Sequence, residues 1–140
     1  MTLLEECIAL AVAAHKGQKD KSGQPYILHP LHLMDQMDTE EEMMTAVLHD
    51  VVEDTGHTMA ELREMGLPEV VIRAISLLTH DDEAASYDEY VQQLKSDPMA
   101  RKVKLADLRH NMDVRRLRSV GEKDAERLEK YRRAWEFLME

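Results

Sequence analysis

Aromatic side chains are scarce in this sequence. Its 140 residues include one Trp, one Phe and four Tyr, while 44% are hydrophobic and ten are Met. A core must therefore be built mainly from Leu, Val, Ile, Ala and Met. This composition favours packed helices over β-sheets, in which β-branched and aromatic residues are enriched.

Cysteine is nearly absent, and long apolar runs are missing altogether. The single Cys7 excludes an internal disulfide and is typical of a reducing compartment, so we expect a cytoplasmic protein. The longest uncharged apolar run, Cys7 to Ala14, is much shorter than the roughly 18 residues of a membrane span. Glu5 and Glu6 also stand where a signal peptide would carry basic residues.

Basic residues are outnumbered by acidic ones. Lys and Arg total 18 against 28 Asp and Glu, which gives a formal net charge of −10. A surface of this sign repels nucleic-acid phosphates and anionic lipid headgroups. We therefore expect neither a nucleic acid nor a membrane as a partner.

Helical patterns run through the chain. Four helix starts are marked by a capping residue followed by an acid or a proline at fitting spacing: Thr39, Thr58, Ser86 and Asp97. The patterns predict helices up to Gly17, within 26–37, from Thr39 to about Asp54, and near 58–65, 68–79, 86–96, 98–112 and 122–139. The polar stretch 17–25 is predicted to be a loop. We predict a single all-α domain over residues 1–140.

Four polar residues interrupt one of these helices. His49, Asp50, Glu53 and Asp54 stand among apolar residues in the segment 48–55. On a continuous helix they would share one broad face, with His49 above Glu53 and Asp50 above Asp54. Three carboxylates without a nearby Lys or Arg repel one another unless a cation or bound protons neutralise them. A divalent metal is the simplest explanation.

Other helices carry polar residues in similar settings. Asp107 and Asn111 share a helix face at i, i+4 spacing, and His29 lies at a loop-to-helix junction. Taken alone, each has an ordinary interpretation as a hydrogen-bonded core residue. We interpret four further histidines as packed or helix-end residues and a second His–Asp pair as surface: His15, His32, His57 and His110, and His80 with Asp81.

Together these residues resemble the HD superfamily of metal-dependent phosphohydrolases, whose pattern is a His, a later His-Asp pair and a distant Asp. The pattern falls here on His29, His49, Asp50 and Asp107, which the resemblance implies as metal ligands. Within the superfamily the chain looks most like the hydrolase domain of RelA/SpoT-type enzymes, including the small stand-alone versions. The likeness spans about residues 1–118 and is carried by the segments 14–18, 21–30, 48–55 and 103–112.

The resemblance implies an activity and a set of roles. Family members remove the 3′-pyrophosphate from guanosine 3′,5′-bis(diphosphate), or ppGpp, a nucleotide of the stringent response, and Mn²⁺ is their usual metal. Two imidazoles and two carboxylates would also accept Fe²⁺, Co²⁺ or Zn²⁺. Glu53 and Asp54 would handle the proton as catalytic residues, and we expect a raised pKa at one of them. Lys21, Ser22 and Asn111 would contact the nucleotide.

Two positions depart from the family. Asp20 stands where members usually have Arg before Lys-Ser-Gly, and Asp113 where they often have Arg after Asn-Met. Each change replaces a phosphate-attracting cation with an anion.

These departures leave alternative functions open. One is an HD-fold phosphohydrolase for a different phosphorylated nucleotide or metabolite. A non-catalytic nucleotide-binding module is a further alternative, although the complete set of expected ligands and acids argues against it. We expect no synthetase domain and no synthesis of ppGpp.

Overall fold

The protein is all-helical. The computed structural model describes residues 1–140 and contains nine α-helices, one 3₁₀ helix and no β-strand. The α-helices are α1 Leu3–Ala14, α2 Leu28–Asp35, α3 Glu40–Leu48, α4 Val51–Asp54, α5 Met59–Glu64, α6 Glu69–Leu78, α7 Tyr87–Leu94, α8 Pro98–Asn111 and α9 Glu122–Met139. The 3₁₀ helix Val114–Arg116 lies between α8 and α9. The predicted all-α fold is confirmed. No helix is long and apolar enough to cross a membrane.

Capping side chains explain where the helices begin. The hydroxyl of Thr39 accepts a hydrogen bond from the backbone N–H of Glu42, whose carboxylate accepts in return from the N–H of Thr39. Asp97 likewise accepts from the N–H of Ala100, and Pro98 occupies the first turn of α8. The predicted capping residues Thr39, Thr58, Ser86 and Asp97 are confirmed.

The segment 39–54 differs from the prediction of one continuous helix. α3 ends at Leu48 and α4 begins at Val51, and the backbone of Asp50 between them has φ −122° and ψ 10°. The carbonyl of Ala46 accepts from both the N–H and Nδ1 of His49, at 3.4 and 2.8 Å. Because His49 itself uses this carbonyl, the regular helical ladder ends here. The predicted stacking of the polar side chains on one unbroken helical face is therefore wrong.

Two groups of buried apolar side chains form the core. One lies mainly between α1, α3 and α6 and includes Cys7, Val47 and Ile72. The other joins α2, α7, α8 and α9 and includes Leu94 and Leu138. Burying each large apolar side chain stabilises the fold by about 1.5–3 kcal/mol relative to its exposure. This packing fixes the helix ends that carry the polar residues.

The buried polar residues are concentrated in one region. Eight polar or charged residues are buried, and six of them lie together around the break between α3 and α4: His15, His29, His49, Asp50, Lys104 and Asp107. Burying ionisable groups costs free energy unless they are paired, and such groups gather at functional sites. This region is therefore the candidate site.

Candidate metal centre and active site

Three of the four residues expected to bind a metal, His29, His49 and Asp107, form one tight group, and Asp50 lies beside it. His29 comes from the first turn of α2, His49 and Asp50 from the break after α3, and Asp107 from α8. Nε2 of His29 lies 2.8 Å from Oδ1 of Asp107. Nε2 of His49 lies 3.5 Å from the same oxygen and 3.6 Å from Oδ2 of Asp50. Side chains from three distant segments therefore present ligand atoms to one small region.

The donor set fits a divalent cation. The ligand atoms of His29, His49 and Asp107 all lie within 4.8 Å of one another, and all three residues are buried. Ligands bound at about 2.1 Å to one ion lie about 3 Å from their neighbours, close to the spacings here. Nδ1 of His49 is engaged by the carbonyl of Ala46 at 2.8 Å, and Nδ1 of His29 by Nδ1 of His110 at 2.7 Å. Such contacts are usual behind metal-ligating histidines, so this buried group is able to hold a metal.

Asp50 borders this group. Its Oδ2 accepts a hydrogen bond from the hydroxyl of Tyr26. Its Oδ1 is buried without a hydrogen-bond partner, although Nε2 of His15 lies 3.2 Å away. Nε2 of His15 likewise has no hydrogen-bond partner. Unsatisfied buried polar atoms are typical of a site built to hold an ion or ligand.

Electrostatics keep both carboxyl groups ionised. Burial opposes protonation of His49, but the charges of Asp50 and Asp107 outweigh it and raise the pKa of His49 to about 9. Burial also opposes ionisation of the two carboxyls, yet their cationic neighbours hold the pKa of Asp50 and of Asp107 well below its usual range. For His29 burial dominates and lowers the pKa. Both carboxylates are therefore available to a cation at neutral pH.

Lys104 lies beside Asp107, one turn earlier on α8. Its Nζ donates to Oδ2 of Asp107 at 3.0 Å and lies 5.6 and 5.2 Å from the ring centres of Tyr87 and Tyr90. Burial opposes the charge of Lys104, but Asp107 outweighs it and raises the pKa of Lys104 well above its usual value. The lysine therefore occupies one oxygen of Asp107 and leaves the other facing the two histidines.

Glu53 and Asp54 belong to α4 and line the same cavity as three of the candidate ligands, His49, Asp50 and Asp107, a space of about 330 Å³. Desolvation, and then the charges of Asp50 and Glu53, raise the pKa of Asp54 to about 6. A raised pKa is the direction that the sequence predicts for either Glu53 or Asp54. Oε1 of Glu53 accepts from the backbone N–H of His80 at 2.6 Å, which orients the carboxylate.

His80 of the second His–Asp pair lines this cavity, and both residues of the pair lie outside the ligand group. The ring of His80 stacks on Tyr90 with centroids 4.6 Å apart, and its Nε2 lies 2.9 Å from the carbonyl of Ala85. Asp81 is exposed and accepts from the backbone N–H of Glu83. The structure agrees with the interpretation of Asp81 as a surface residue.

A second cavity, of about 250 Å³, adjoins the first. Both are lined by Tyr26, Asn111 and Tyr131. The second cavity also has four cationic side chains: Lys19, Lys21, Arg116 and Arg127. Nδ2 of Asn111 donates to Oδ1 of Asp107 at 3.0 Å and so ties the shared wall to the ligand group. Two of the predicted substrate contacts, Lys21 and Asn111, therefore line one cavity.

Ser22 lines a different cavity, of about 550 Å³, so the structure does not bring it together with Lys21 and Asn111. Its hydroxyl donates to Oδ1 of Asp20 at 2.8 Å. The same oxygen accepts from the backbone N–H groups of Ser22 and Gln24, both at 2.9 Å. Ser22 therefore helps to shape the loop between α1 and α2.

Both acidic departures from the family pattern lie close to arginines. Oδ2 of Asp20 lies 3.7 Å from Arg116. Asp113 accepts two hydrogen bonds from Arg115, at 2.9 and 2.8 Å. This hydrogen bonding lowers the pKa of Asp113 to about 2. The two carboxylates thus neutralise part of the positive charge beside the cavities.

Sequence comparison finds relatives that are named as GTP pyrophosphokinases and as (p)ppGpp synthase/hydrolases. No protein-family model matches the chain. A GTP pyrophosphokinase of Streptomyces coelicolor is 34% identical over 125 residues, which cover 81% of this chain and 15% of that protein. The bifunctional (p)ppGpp synthase/hydrolase SpoT of Escherichia coli K12 is 32% identical over 122 residues, covering 78% of this chain and 17% of SpoT. The chain therefore spans about one sixth of the length of these curated relatives.

A solved structure shares the fold. It belongs to a metazoan ortholog of SpoT that hydrolyses ppGpp, and it matches with a TM-score of 0.81 over 99% of this chain and 85% of that chain, at 20% identity. The chain is a RelA/SpoT homologue with the HD-domain fold. The predicted family and fold are confirmed.

In this RelA/SpoT homologue, sequence reasoning missed four side chains that contact the candidate ligands: His15, Tyr26, Lys104 and His110. The interpretation of His15 and His110 as ordinary packed residues overlooks their contacts with Asp50 and His29. Lys104 had a visible signal, because it is a charged residue inside a largely apolar helical stretch. Tyr26 had no local signal that could have assigned it to Asp50.

Proposed function

We propose that this chain is a metal-dependent phosphohydrolase that removes the 3′-pyrophosphate from ppGpp or a closely related nucleotide. The observation that carries the proposal is the buried group of His29, His49 and Asp107, with Asp50 beside His49 and with Glu53 and Asp54 lining the adjacent cavity. The activity named for the metazoan SpoT ortholog, whose fold this chain shares, supports the same reaction.

His29, His49, Asp50 and Asp107 are the proposed ligands of one divalent metal, which is Mn²⁺ by family resemblance. When bound, such an ion activates a water molecule and polarises a phosphoryl oxygen. The ligand atoms would also accept Fe²⁺, Co²⁺ or Zn²⁺. Asp50 and Asp107 carry the two negative charges that balance a divalent cation. Lys104 pairs with Oδ2 of Asp107, so the proposed ligand atom is Oδ1, which faces the two histidines and also accepts from Asn111.

Asp54 and Glu53 are the proposed catalytic residues. A carboxyl group with a pKa of about 6 takes up and releases protons near neutral pH, so Asp54 suits the transfer of a proton from the attacking water to the leaving group. Desolvation and the charge of Asp50 raise the pKa of Asp54, and Glu53, held by the N–H of His80, adds to this effect.

The nucleotide is proposed to lie across the two adjoining cavities. Its pyrophosphate would occupy the cavity of the metal ligands, and its remaining phosphates and nucleoside the cationic cavity that contains Lys21. Asn111 lies in the wall that both parts share. Arg127 and Tyr131 of α9 line the cationic cavity, so we propose that residues 1–140 act as one domain in which α9 completes the nucleotide site.

A different phosphorylated nucleotide is the second candidate substrate. The observation that favours it is the contact of Asp20 with Arg116 and the pairing of Asp113 with Arg115, since both reduce the positive charge that a highly anionic ppGpp would meet. A substrate with fewer phosphates would be less affected. The buried, unpaired Cys7 supports a reducing, cytoplasmic setting for either reaction.

Product analysis on a nucleotide panel tests the proposal. The purified protein, loaded with Mn²⁺, is incubated with ppGpp and with nucleotides that carry single phosphates or diphosphates, and products are separated by anion-exchange chromatography. We expect release of pyrophosphate and GDP from ppGpp. Asp50→Asn should abolish turnover, and Lys123→Gln, on the exposed start of α9, should leave it unchanged.

Three outcomes separate the candidates. Cleavage of another nucleotide with ppGpp left intact selects the second candidate. Nucleotide binding that persists in Asp50→Asn, with no turnover in any variant or in the wild type, selects a binding module. Cleavage of ppGpp that does not depend on a metal contradicts the proposed ligand set.

A further inference from the structure

His110 and His29 form an imidazole pair behind the candidate ligand group. Their Nδ1 atoms lie 2.7 Å apart, and the ring planes are nearly parallel, with an interplanar angle of 5° and centroids 5.0 Å apart. His32 stacks on His110, with centroids 4.0 Å apart and an angle of 17°. The main chain of His110 is fixed as well, because Arg116 donates to its carbonyl at 3.0 Å. The ring of His110 is therefore held against the edge of His29.

The chemistry of the pair gives its hydrogen bond a direction. A neutral imidazole has one proton, so one ring donates and the other accepts. If His29 binds a metal through Nε2, its proton is on Nδ1, and His29 must donate to Nδ1 of His110. A metal-binding His49 also needs an acceptor for its Nδ1 proton. That acceptor is the carbonyl of Ala46, which lies 2.8 Å from Nδ1 of His49. The two candidate ligands thus have different acceptors, one a carbonyl oxygen and one an imidazole nitrogen.

We propose that His110 is a positioning residue for metal binding. Its Nδ1 accepts the Nδ1 proton of His29 and so fixes the tautomer and the ring orientation that present Nε2 of His29 to the ion. His110 contacts neither the ion nor the nucleotide in this role. The inference rests on the metal-ligand role proposed for His29, and it is independent of which nucleotide is cleaved.

A role in packing alone makes a different prediction. In that case any side chain of similar bulk would replace His110, because only the contacts with His29 and His32 would matter. An acceptor role requires an atom with a lone pair at the position of Nδ1. Leu keeps most of the bulk and removes the acceptor, whereas Oδ1 of Asn restores an acceptor close to the position of Nδ1.

Metal affinity of the full chain tests the difference. The dissociation constant for Mn²⁺ is measured by isothermal titration calorimetry on wild type, His110→Leu, His110→Asn and His57→Leu. His57 is the matched control, because it lies 2.6 Å from Glu61, away from the candidate ligands. We expect His110→Leu to weaken binding roughly 10–100-fold, as is usual when such a partner is lost. His110→Asn and His57→Leu should stay close to wild type.

A second measurement keeps the test valid if His110→Leu is less stable. Histidine ¹⁵N–¹H correlation spectra of the Zn²⁺-loaded proteins report the tautomer of His29 and the exchange of its Nδ1 proton. We expect a slowly exchanging Nδ1–H in wild type and His110→Asn, and fast exchange in His110→Leu.

Two results overturn the inference while the proposed function stands: wild-type affinity in His110→Leu, or equal weakening by Leu and Asn. A wild-type protein that binds no divalent metal overturns the proposed function and this inference together. The two kinds of failure can be told apart. The first two results are seen only in the His110 variants, whereas the failure to bind a divalent metal is seen in the wild-type protein.

Discussion

Nζ of Lys104 lies 3.0 Å from Oδ2 of Asp107, in the interior of the protein and one helical turn away along α8. Asp107 is therefore balanced by a permanent cation on one oxygen, while its other oxygen faces His29 and His49. This pairing lets a carboxylate stay ionised at a buried position whether or not an ion is bound. The two residues lie three positions apart on one helix, so the geometry of α8 itself places them side by side.

Replacing Lys104 should destabilise the metal-free protein. Lys104→Met leaves Asp107 buried beside fewer cations, and breaking a buried ion pair costs about 3 kcal/mol. Added Mn²⁺ should recover part of this loss, because the ion supplies positive charge at the same carboxylate. Urea unfolding with and without Mn²⁺ measures both effects.

Lys102→Met is the matched control on the same helix, because Lys102 pairs with Asp38 and Glu42 at the surface. Its loss should cost less than about 1 kcal/mol. If the two variants lose equal free energy of unfolding, the buried pair of Lys104 with Asp107 stabilises the protein no more than the surface pairs of Lys102 do.

A divalent metal should stabilise the native protein through the candidate ligands. At a free Mn²⁺ concentration one hundred times its dissociation constant, binding adds about 2.7 kcal/mol. For a domain of this size that corresponds to a rise in Tm of roughly 5–10 °C, measured by differential scanning calorimetry. Asp107→Asn should remove the rise. Asp81→Asn, in the second His–Asp pair, should keep it, and loss of the rise in this variant would place the metal elsewhere.

Asp54 should make stability depend on pH. Its pKa of about 6 in the folded protein exceeds the value of about 3.9 in unfolded chains, so the folded state holds the proton more tightly. The resulting stabilisation is complete below about pH 4 and is lost as pH rises through about 6. Asp54→Asn should therefore be more stable than wild type above pH 6, by about 1 kcal/mol once solvent screening of this partly exposed group is allowed for.

The same substitution should reduce turnover at least about 100-fold, because the proton-transfer group is gone. Urea unfolding of the metal-free proteins from pH 4 to pH 8, with product release measured in parallel, checks both results. Identical stability curves for Asp54→Asn and wild type would contradict the raised pKa.

Cys7 should be inert in the native protein. Burial, and then the charge of Glu6, raise the pKa of its thiol to about 11, so little thiolate exists at pH 8. A thiol-directed chromogenic disulfide should react with the unfolded chain only. Rapid labelling of the native protein without loss of helical signal would contradict the burial of Cys7 against α3 and α6.

Local signals were sufficient for much of the fold. Thr39 and Asp97 act on backbone groups within one turn of their own helices, so a short sequence pattern predicts each helix start. The composition predicted a core of aliphatic side chains, and Tyr90 is its only buried aromatic residue. The candidate ligands came from a family pattern; the structure groups His29, His49 and Asp107 and leaves Asp50 beside them.

The supporting contacts could not be predicted, because they join residues far apart in sequence. His29 and His110 are separated by 81 positions and Tyr26 and Asp50 by 24, and helical periodicity carries no information about such pairs. The break before Asp50 was missed for a related reason. It depends on the ring of His49, which competes for a backbone carbonyl, and the apolar pattern of 43–54 continues across it.

The break between α3 and α4 also determines which kinds of sequence change this segment tolerates. His49 and Asp50 belong to neither helix, so the number of residues in the turn sets the angular position of α4 relative to the candidate ligands. Inserting or deleting a single residue there would change the position of α4 relative to α3 and carry Asp54 away from the cavity. Substitutions at solvent-facing positions do not change the number of residues between α3 and α4. The segment should therefore tolerate such substitutions but not insertions or deletions.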